Sequence, residues 1–170
     1  MKKIILYIAQ SLDGFVATND KSVKWLDEFS KGVDYGTKEF IERIDTVVTG
    51  KTTFDQFKTV YKGKNNYVFS EDADNLSEEG VVFVKGNISE FVDGFDEKTH
   101  KDIWLVGGPT LASGFIDEGQ IDEFIIFTMP VLLGEGIPLF VSIKQIPKIS
   151  LTSIKKFSNG VIENHYKIIK

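Results

Sequence analysis

The stretch VVTGKTTFD, residues 47–55, gathers groups that bind anions: Gly50, the ammonium of Lys51 and the hydroxyls of Thr52 and Thr53. A phosphate-wrapping P-loop would need G-x-x-x-x-G-K-[ST]. Counting back from Gly50 places Asp45 where the first glycine belongs, and the intervening TVVT is a β-branched run that favours strand. A Walker-type ATPase is therefore not supported. What survives is a strand ending at Gly50 and a helix starting at Lys51. The free N–H groups of such a first turn favour anions. The plain alternative is a strand-to-helix junction with glycine in its turn and threonine at its cap. A second junction of the same kind follows in WLVGGPTLASGF, residues 104–115, where Gly107 and Gly108 precede a helix opened by Pro109. Two such junctions in one sheet could hold the two ends of a pyrophosphate-containing dinucleotide. The G-x-G-x-x-G fingerprint of a Rossmann site is missing.

Other side chains could supply chemistry. Asp34 precedes a helix and reads either as a proton donor or as the cap of a helix beginning near Tyr35. Asp27 and Glu28 read as solvated neighbours. Trp25 could stack on a flat substrate or pack in the core. His100 and His165 lack a nearby nucleophile pattern, so a hydrolase triad is unsupported. Asp93, Asp96 and Glu97 read as a solvated helix end, and no metal site is expected. The chain has no cysteine, which removes disulfides, cysteine-ligated zinc and thiol catalysis.

The elements that must carry these groups alternate. Strands are predicted at 3–10, 46–50, 65–70, 81–86 and 102–108, a strand followed by a loop over 123–136, and helices at 37–44, 51–57, 88–97 (capped by Asn87) and 109–119. ISLTSIKKF and VIENHYKII, joined by SNG at 158–160, form a C-terminal β-hairpin. With 170 residues, one domain spanning 1–170 is expected. The pattern is α/β, with helices flanking a mainly parallel sheet. A formal charge of -5 argues against a sequence-independent grip on nucleic acid. The apolar run IILYIA is too short for a signal peptide or a membrane span, so a cytoplasmic chain without a membrane partner is expected.

IAQSLDGFVA (8–17), DTVVTGKTTFD (45–55), VFS (68–70), WLVGGPTLASGFIDEGQIDEF (104–124) and PVLLGEGIPLF (130–140) stand in the order seen in the dihydrofolate-reductase-like family. The set most resembles its branch similar to the C-terminal reductase domain of bacterial riboflavin biosynthesis proteins, and PVLLGEGIPLF favours that branch. The resemblance implies a three-layer fold around a mostly parallel sheet of about eight strands, ending in an antiparallel hairpin. It implies NADPH as cofactor. It also implies a small pyrimidine- or pterin-like substrate, as in 5-amino-6-(5-phosphoribosylamino)uracil reductase. Dihydrofolate is the alternative substrate, and a non-catalytic nucleotide-binding module the alternative of another class. By the same resemblance Gly50, Lys51, Thr52 and Thr53 would hold phosphates near the adenosine half, with Ser70 on the same phosphate. Lys51 stands where the family often has arginine. Gly107, Gly108, Thr110 and Leu111 would line the pyrophosphate, and Ala9, Leu12, Asp13, Gly14 and Ala17 would border the nicotinamide. Asp34 occupies the place of the acid that this superfamily points at a pteridine-like ring. A homodimer is implied as well; the strand at 123–133 would serve as its interface or lie wholly inside. The zinc deaminase that accompanies this reductase in bifunctional proteins needs H-x-E and P-C-x-x-C ligands, which this chain lacks.

Overall fold

The computed structural model describes residues 2–95 and 101–169. Asp96, Glu97 and His100 lie outside them.

The strands of the sequence assemble into one eight-stranded sheet, with the apolar runs at its centre. Its strands are β1 (Ile4–Ser11), β3 (Ile44–Gly50), β4 (Asn65–Phe69), β5 (Val82–Val84), β6 (Asp102–Gly107), β7 (Glu123–Met129), β9 (Ile149–Lys156) and β10 (Ile162–Ile168). Their order is β5-β4-β3-β6-β1-β7-β10-β9. Every pairing from β5 to β7 is parallel, and β10 runs antiparallel to both β7 and β9. A short second ribbon pairs β2 (Phe15–Ala17) with β8 (Ile137–Pro138).

Helices cover both faces, which is why the central strands read as continuous apolar runs. On one face α3 (Ile88–Asp93) and α4 (Pro109–Asp117) bury Ile88, Phe115 and Ile116 against Ile4, Leu6, Val48 and Leu105. On the other, α1 (Thr37–Arg43) buries Phe40 against Ile5, Val47, Trp104 and Phe127, with Trp25, Leu26 and Tyr35 packed beside it. α2 (Lys51–Phe57) follows β3 directly, with Phe54 edge-on to Phe83.

Local signals explain most boundaries. Asn87 caps α3 by accepting from the Glu90 N–H at 3.1 Å. α3 stops at Asp93, short of the span 88–97, because Gly94 follows. α1 begins at Thr37 rather than near Tyr35, since Gly36 is its N-cap residue. The hairpin loop has three residues, 158–160. The Phe157 N–H donates to the Val161 carbonyl at 2.9 Å, and Gly160 takes φ 87°, where a side chain would be strained. β7 is hydrogen-bonded on both sides and buried almost throughout, so the 123–129 part of the 123–133 stretch lies inside the sheet.

Charges knit the amino ends of the strands. Glu123, whose side chain is 10% exposed, accepts from Lys3 Nζ at 2.6 Å and from Arg43 at 3.2 Å, and Arg43 also grips Asp102. Burial pushes the Glu123 carboxyl pKa up, but Lys3 and Arg43 outweigh it and hold the pKa below its ordinary value. Among the described residues no helix is long and apolar enough to cross a membrane.

Candidate functional site

The site forms where the chain changes direction. β6 is inserted between β1 and β3, although the segment from 12 to 43 joins those two strands. The carboxyl ends of β1, β3, β4 and β6 then face one cleft of about 1020 Å³. In open α/β sheets this edge is where ligands bind, because the backbone groups there are free and the helices diverge.

The two glycine junctions meet at the cleft. A Cβ built on Gly50 would lie 3.8 Å from the backbone nitrogen of Gly108 and 3.8 Å from Leu111 Cβ. A Cβ on Gly108 would lie 3.0 Å from Thr53 Oγ1, closer than ordinary contact. Thr49 Oγ1 donates to the Gly107 carbonyl at 3.2 Å and ties the two strand ends together. Gly107 takes φ 120°, a conformation a larger residue would resist, and the peptide joining it to Gly108 is cis. The result is a cradle of bare backbone flanked by the hydroxyls of Thr52, Thr53, Ser70 and Thr110. Lys51 and Lys85 stand on the same side. Lys51 Nζ is engaged by Asp55, which also holds Lys58 at 2.9 Å, and Lys85 reaches Asp74 at 3.6 Å. The Lys51 contact, then the Lys58 contact, lowers the Asp55 pKa. Bare backbone donors, hydroxyls and cations together fit a phosphate-bearing ligand.

The structure brings most of the candidate binding residues together. Ala9, Ala17, Gly50, Lys51, Thr52, Thr53, Ser70, Gly107, Gly108, Thr110 and Leu111 all line the cleft. Leu12, Asp13 and Gly14 sit beside it in the turn after β1. Leu12 is 63% exposed. Asp13 is occupied by the fold: it accepts from Ser11 Oγ at 2.6 Å, from the Leu133 N–H at 3.2 Å and from the Gly134 N–H at 2.7 Å. The Ser11 hydroxyl first, and these backbone donors with it, hold its pKa below the ordinary carboxylate value. Asp13 thus clamps SLDGFVA to PVLLGEG, which gives those two separated motifs a common structural reason. The Leu12 N–H to Val131 carbonyl bond at 2.8 Å completes the clamp.

Asp34 and Trp25 are not brought to the cleft lining. The Asp34 carboxylate is exposed and accepts from the Gly36 N–H at 2.8 Å, closing the turn ahead of α1. Its side chain makes no bond to the helix itself, so it shapes the approach to α1 rather than capping the helix. Trp25 packs against the cluster around Phe40 and Trp104, with its indole N–H buried.

Residues the sequence did not single out line the other end: Tyr7, Tyr35, Trp104, Phe127 and Met129, with the exposed Thr37 at its lip. Tyr7 stacks on Phe40 with centroids 4.1 Å apart and meets Trp104 and Phe127 edge-on. Trp104 Nε1 donates to the Tyr7 carbonyl at 3.0 Å. The available signal was a polar aromatic inside each of the apolar strands IILYIA and DIWLVG. Burial first, and the nearby Glu163 in addition, raises the Tyr7 pKa against the lowering effect of its hydrogen bond to Thr37. Tyr7 therefore stays a neutral hydroxyl. Glu163 itself pairs with His165 on β10.

Comparison with known proteins follows the same lines. A family model described as the RibD C-terminal domain matches residues 2–162. The uncharacterized protein YwjB of Bacillus subtilis is 38% identical over 170 residues, covering 97% of both chains. A deaminase/5-amino-6-(5-phosphoribosylamino)uracil reductase from Thermotoga maritima superposes with a TM-score of 0.79 at 15% identity, covering 99% of this chain and 57% of that one. Dihydrofolate reductase from Enterococcus faecalis, solved in complex with NADP(H) and RAB-propyl, superposes with a TM-score of 0.73 at 16% identity over 99% and 97% of the two chains.

Proposed function

This chain belongs to the RibD C-terminal domain family, and on that premise we propose that it is an NADPH-dependent reductase acting on a small pyrimidine- or pterin-like ring. The observation that carries the reading is the meeting of the two glycine junctions, Gly50 with Gly107 and Gly108, on one cleft large enough for a dinucleotide and a small ring side by side. NADPH, when bound, supplies the hydride. Everything else falls to the chain.

Gly107, Gly108, Thr110 and Leu111 would receive the pyrophosphate, where absent side chains let backbone approach oxygen. Lys51, Thr52, Thr53 and Ser70 would receive the adenosine-side phosphate. A lysine there pairs as a point charge, without the fork of an arginine. Ala9 and Ala17 leave space for a flat ring beside β1. The aromatic end excludes water through Trp104, Phe127 and Met129, which keeps a transferred hydride from side reactions. A proton must accompany the hydride. At that end the exposed hydroxyls of Tyr7 and Thr37, 3.2 Å apart, would relay it from solvent, each taking up a proton as it gives one, so that both stay neutral. Glu71 is the carboxylate among the described lining residues, and it sits next to Ser70 on the phosphate side. That arrangement weighs against dihydrofolate, whose recognition would want an acid at the ring.

Thermal unfolding with NADPH and NADH tests the reading, because a ligand of the folded state raises the melting temperature. NADPH is expected to stabilise clearly more than NADH. No stabilisation by either at millimolar concentration would refute the cofactor assignment.

A further inference from the structure

The two ends of the cleft differ in chemistry. The lysines among its described lining residues are Lys21, Lys51 and Lys85. All belong to the α2 side: Lys51 opens α2, Lys85 follows β5, and the Lys21 carbonyl accepts from Gln56 Nε2 on α2. The opposite end is walled by rings and apolar groups, held rigidly. Tyr7 is clamped by its stack on Phe40 and by the Trp104 indole, as described above. Tyr35 spends its hydroxyl outside the cleft, donating to the Phe29 carbonyl at 2.7 Å and accepting from Asn159 Nδ2 at 2.6 Å. The Trp104 N–H is likewise spent on the Tyr7 carbonyl. What this end offers a ligand is therefore flat apolar surface and one hydroxyl pair, Tyr7 Oη with Thr37 Oγ1.

Building on the reductase reading of this cleft, we propose that the substrate docks here as an uncharged planar ring. It carries no phosphate or carboxylate at this end, and a ring carbonyl or imine nitrogen hydrogen-bonds to the Tyr7–Thr37 pair. An anion placed among Trp104, Phe127 and Met129 would lose its hydration without gaining a cation. A neutral flat ring gains stacking on the aromatic walls, and its one polar edge meets a neutral donor. Any phosphate on the substrate would thus lie outside this end of the cleft.

Pterin and pterin-6-carboxylate are a matched pair of probes, neutral and anionic at neutral pH, with the same flat bicycle. Binding to the full chain can be read by energy transfer from Trp104, with Trp25→Phe as background. Pterin is expected to bind at least about tenfold more tightly than the carboxylate. Tyr7→Phe should weaken pterin by about 3- to 10-fold, the loss of one hydrogen bond, and change the carboxylate little. Thr37→Lys, which adds a cation at the lip, should narrow the gap between the two probes. Equal or tighter binding of the carboxylate by the unmodified chain would overturn the proposal, as would binding of neither probe. If Tyr7→Phe fails to fold, the probe contrast and Thr37→Lys still decide. Failure of NADPH to stabilise the protein would remove the reductase reading while leaving the probe contrast intact, so the two failures are separable.

Discussion

Lys51→Ala isolates the phosphate on which the cofactor reading depends. The Lys51 side chain is 32% exposed, and its ammonium already shares Asp55, which also serves Lys58. A hydrogen bond to a charged group contributes about 1.5–3 kcal/mol when well formed. Partial exposure and competition from Asp55 place Lys51 at the low end, near 1.5 kcal/mol, or roughly a tenfold change in Kd. NADPH affinity should fall by about that factor while NADH affinity stays unchanged, because NADH lacks the 2′-phosphate. Titration calorimetry with both nucleotides reads this directly. Asp55→Asn should act in the opposite sense: it frees Lys51 and raises the preference for NADPH. Added salt should compress the preference in the unmodified protein and have little left to compress in Lys51→Ala. An equal loss of NADPH and NADH binding, or no loss of either, would refute the assignment of Lys51 to a 2′-phosphate.

Three further outcomes follow from the geometry. A Cβ on Gly136 would lie 2.3 Å from the Ala17 carbonyl oxygen, so Gly136→Ala should force β2 and β8 apart and cost about 1–3 kcal/mol, read by denaturant unfolding. Glu123→Gln should cost about 2 kcal/mol, or roughly 4–8 °C in Tm, by leaving Lys3 and Arg43 without their carboxylate. Because the folded pKa of Glu123 is lowered, its contribution is fully present above the ordinary glutamate range and is lost as pH falls through the folded value. The gap in stability between wild type and Glu123→Gln should hold steady above about pH 5 and close below about pH 4; a gap that widens on acidification would contradict this. Asp34→Asn should change turnover by less than about 2-fold, since an acting proton donor contributes about 100-fold or more; a loss of that larger size would return Asp34 to the chemistry.

Much of the fold was legible because its signals are local. α2 runs from Lys51 to Phe57 as read, since Gly50 ends the strand and the threonines open the helix. Pro109 opens α4, and Asn87 caps α3, for reasons contained within a few residues. The hairpin was marked by Asn159 and Gly160, although its loop length was set by how Phe157 and Val161 pair. The glycine-junction end of the cleft was legible for the same reason. It is built from junction residues whose backbone conformation the sequence itself prescribes.

The ring end was not legible. β1 and β6 are buried on both faces, so apolar residues occur at every position and no alternation reports which side chain points where. Tyr7 and Trp104 acquire their role only when β6 enters between β1 and β3, and when α1 lays Phe40 and Thr37 over that face. An acid before a helix looks alike whether it faces a cleft or a turn, and only the structure puts the Asp34 carboxylate on the Gly36 N–H. Asp13 and Gly134 are 121 positions apart, and their bond could not be read from either segment. Sequence alone marked the kind and place of most elements and the two glycine junctions, because backbone preferences act over a few residues. Which side chains converge on the substrate was decided by strand order and helix placement, because convergence depends on packing between segments far apart in the chain.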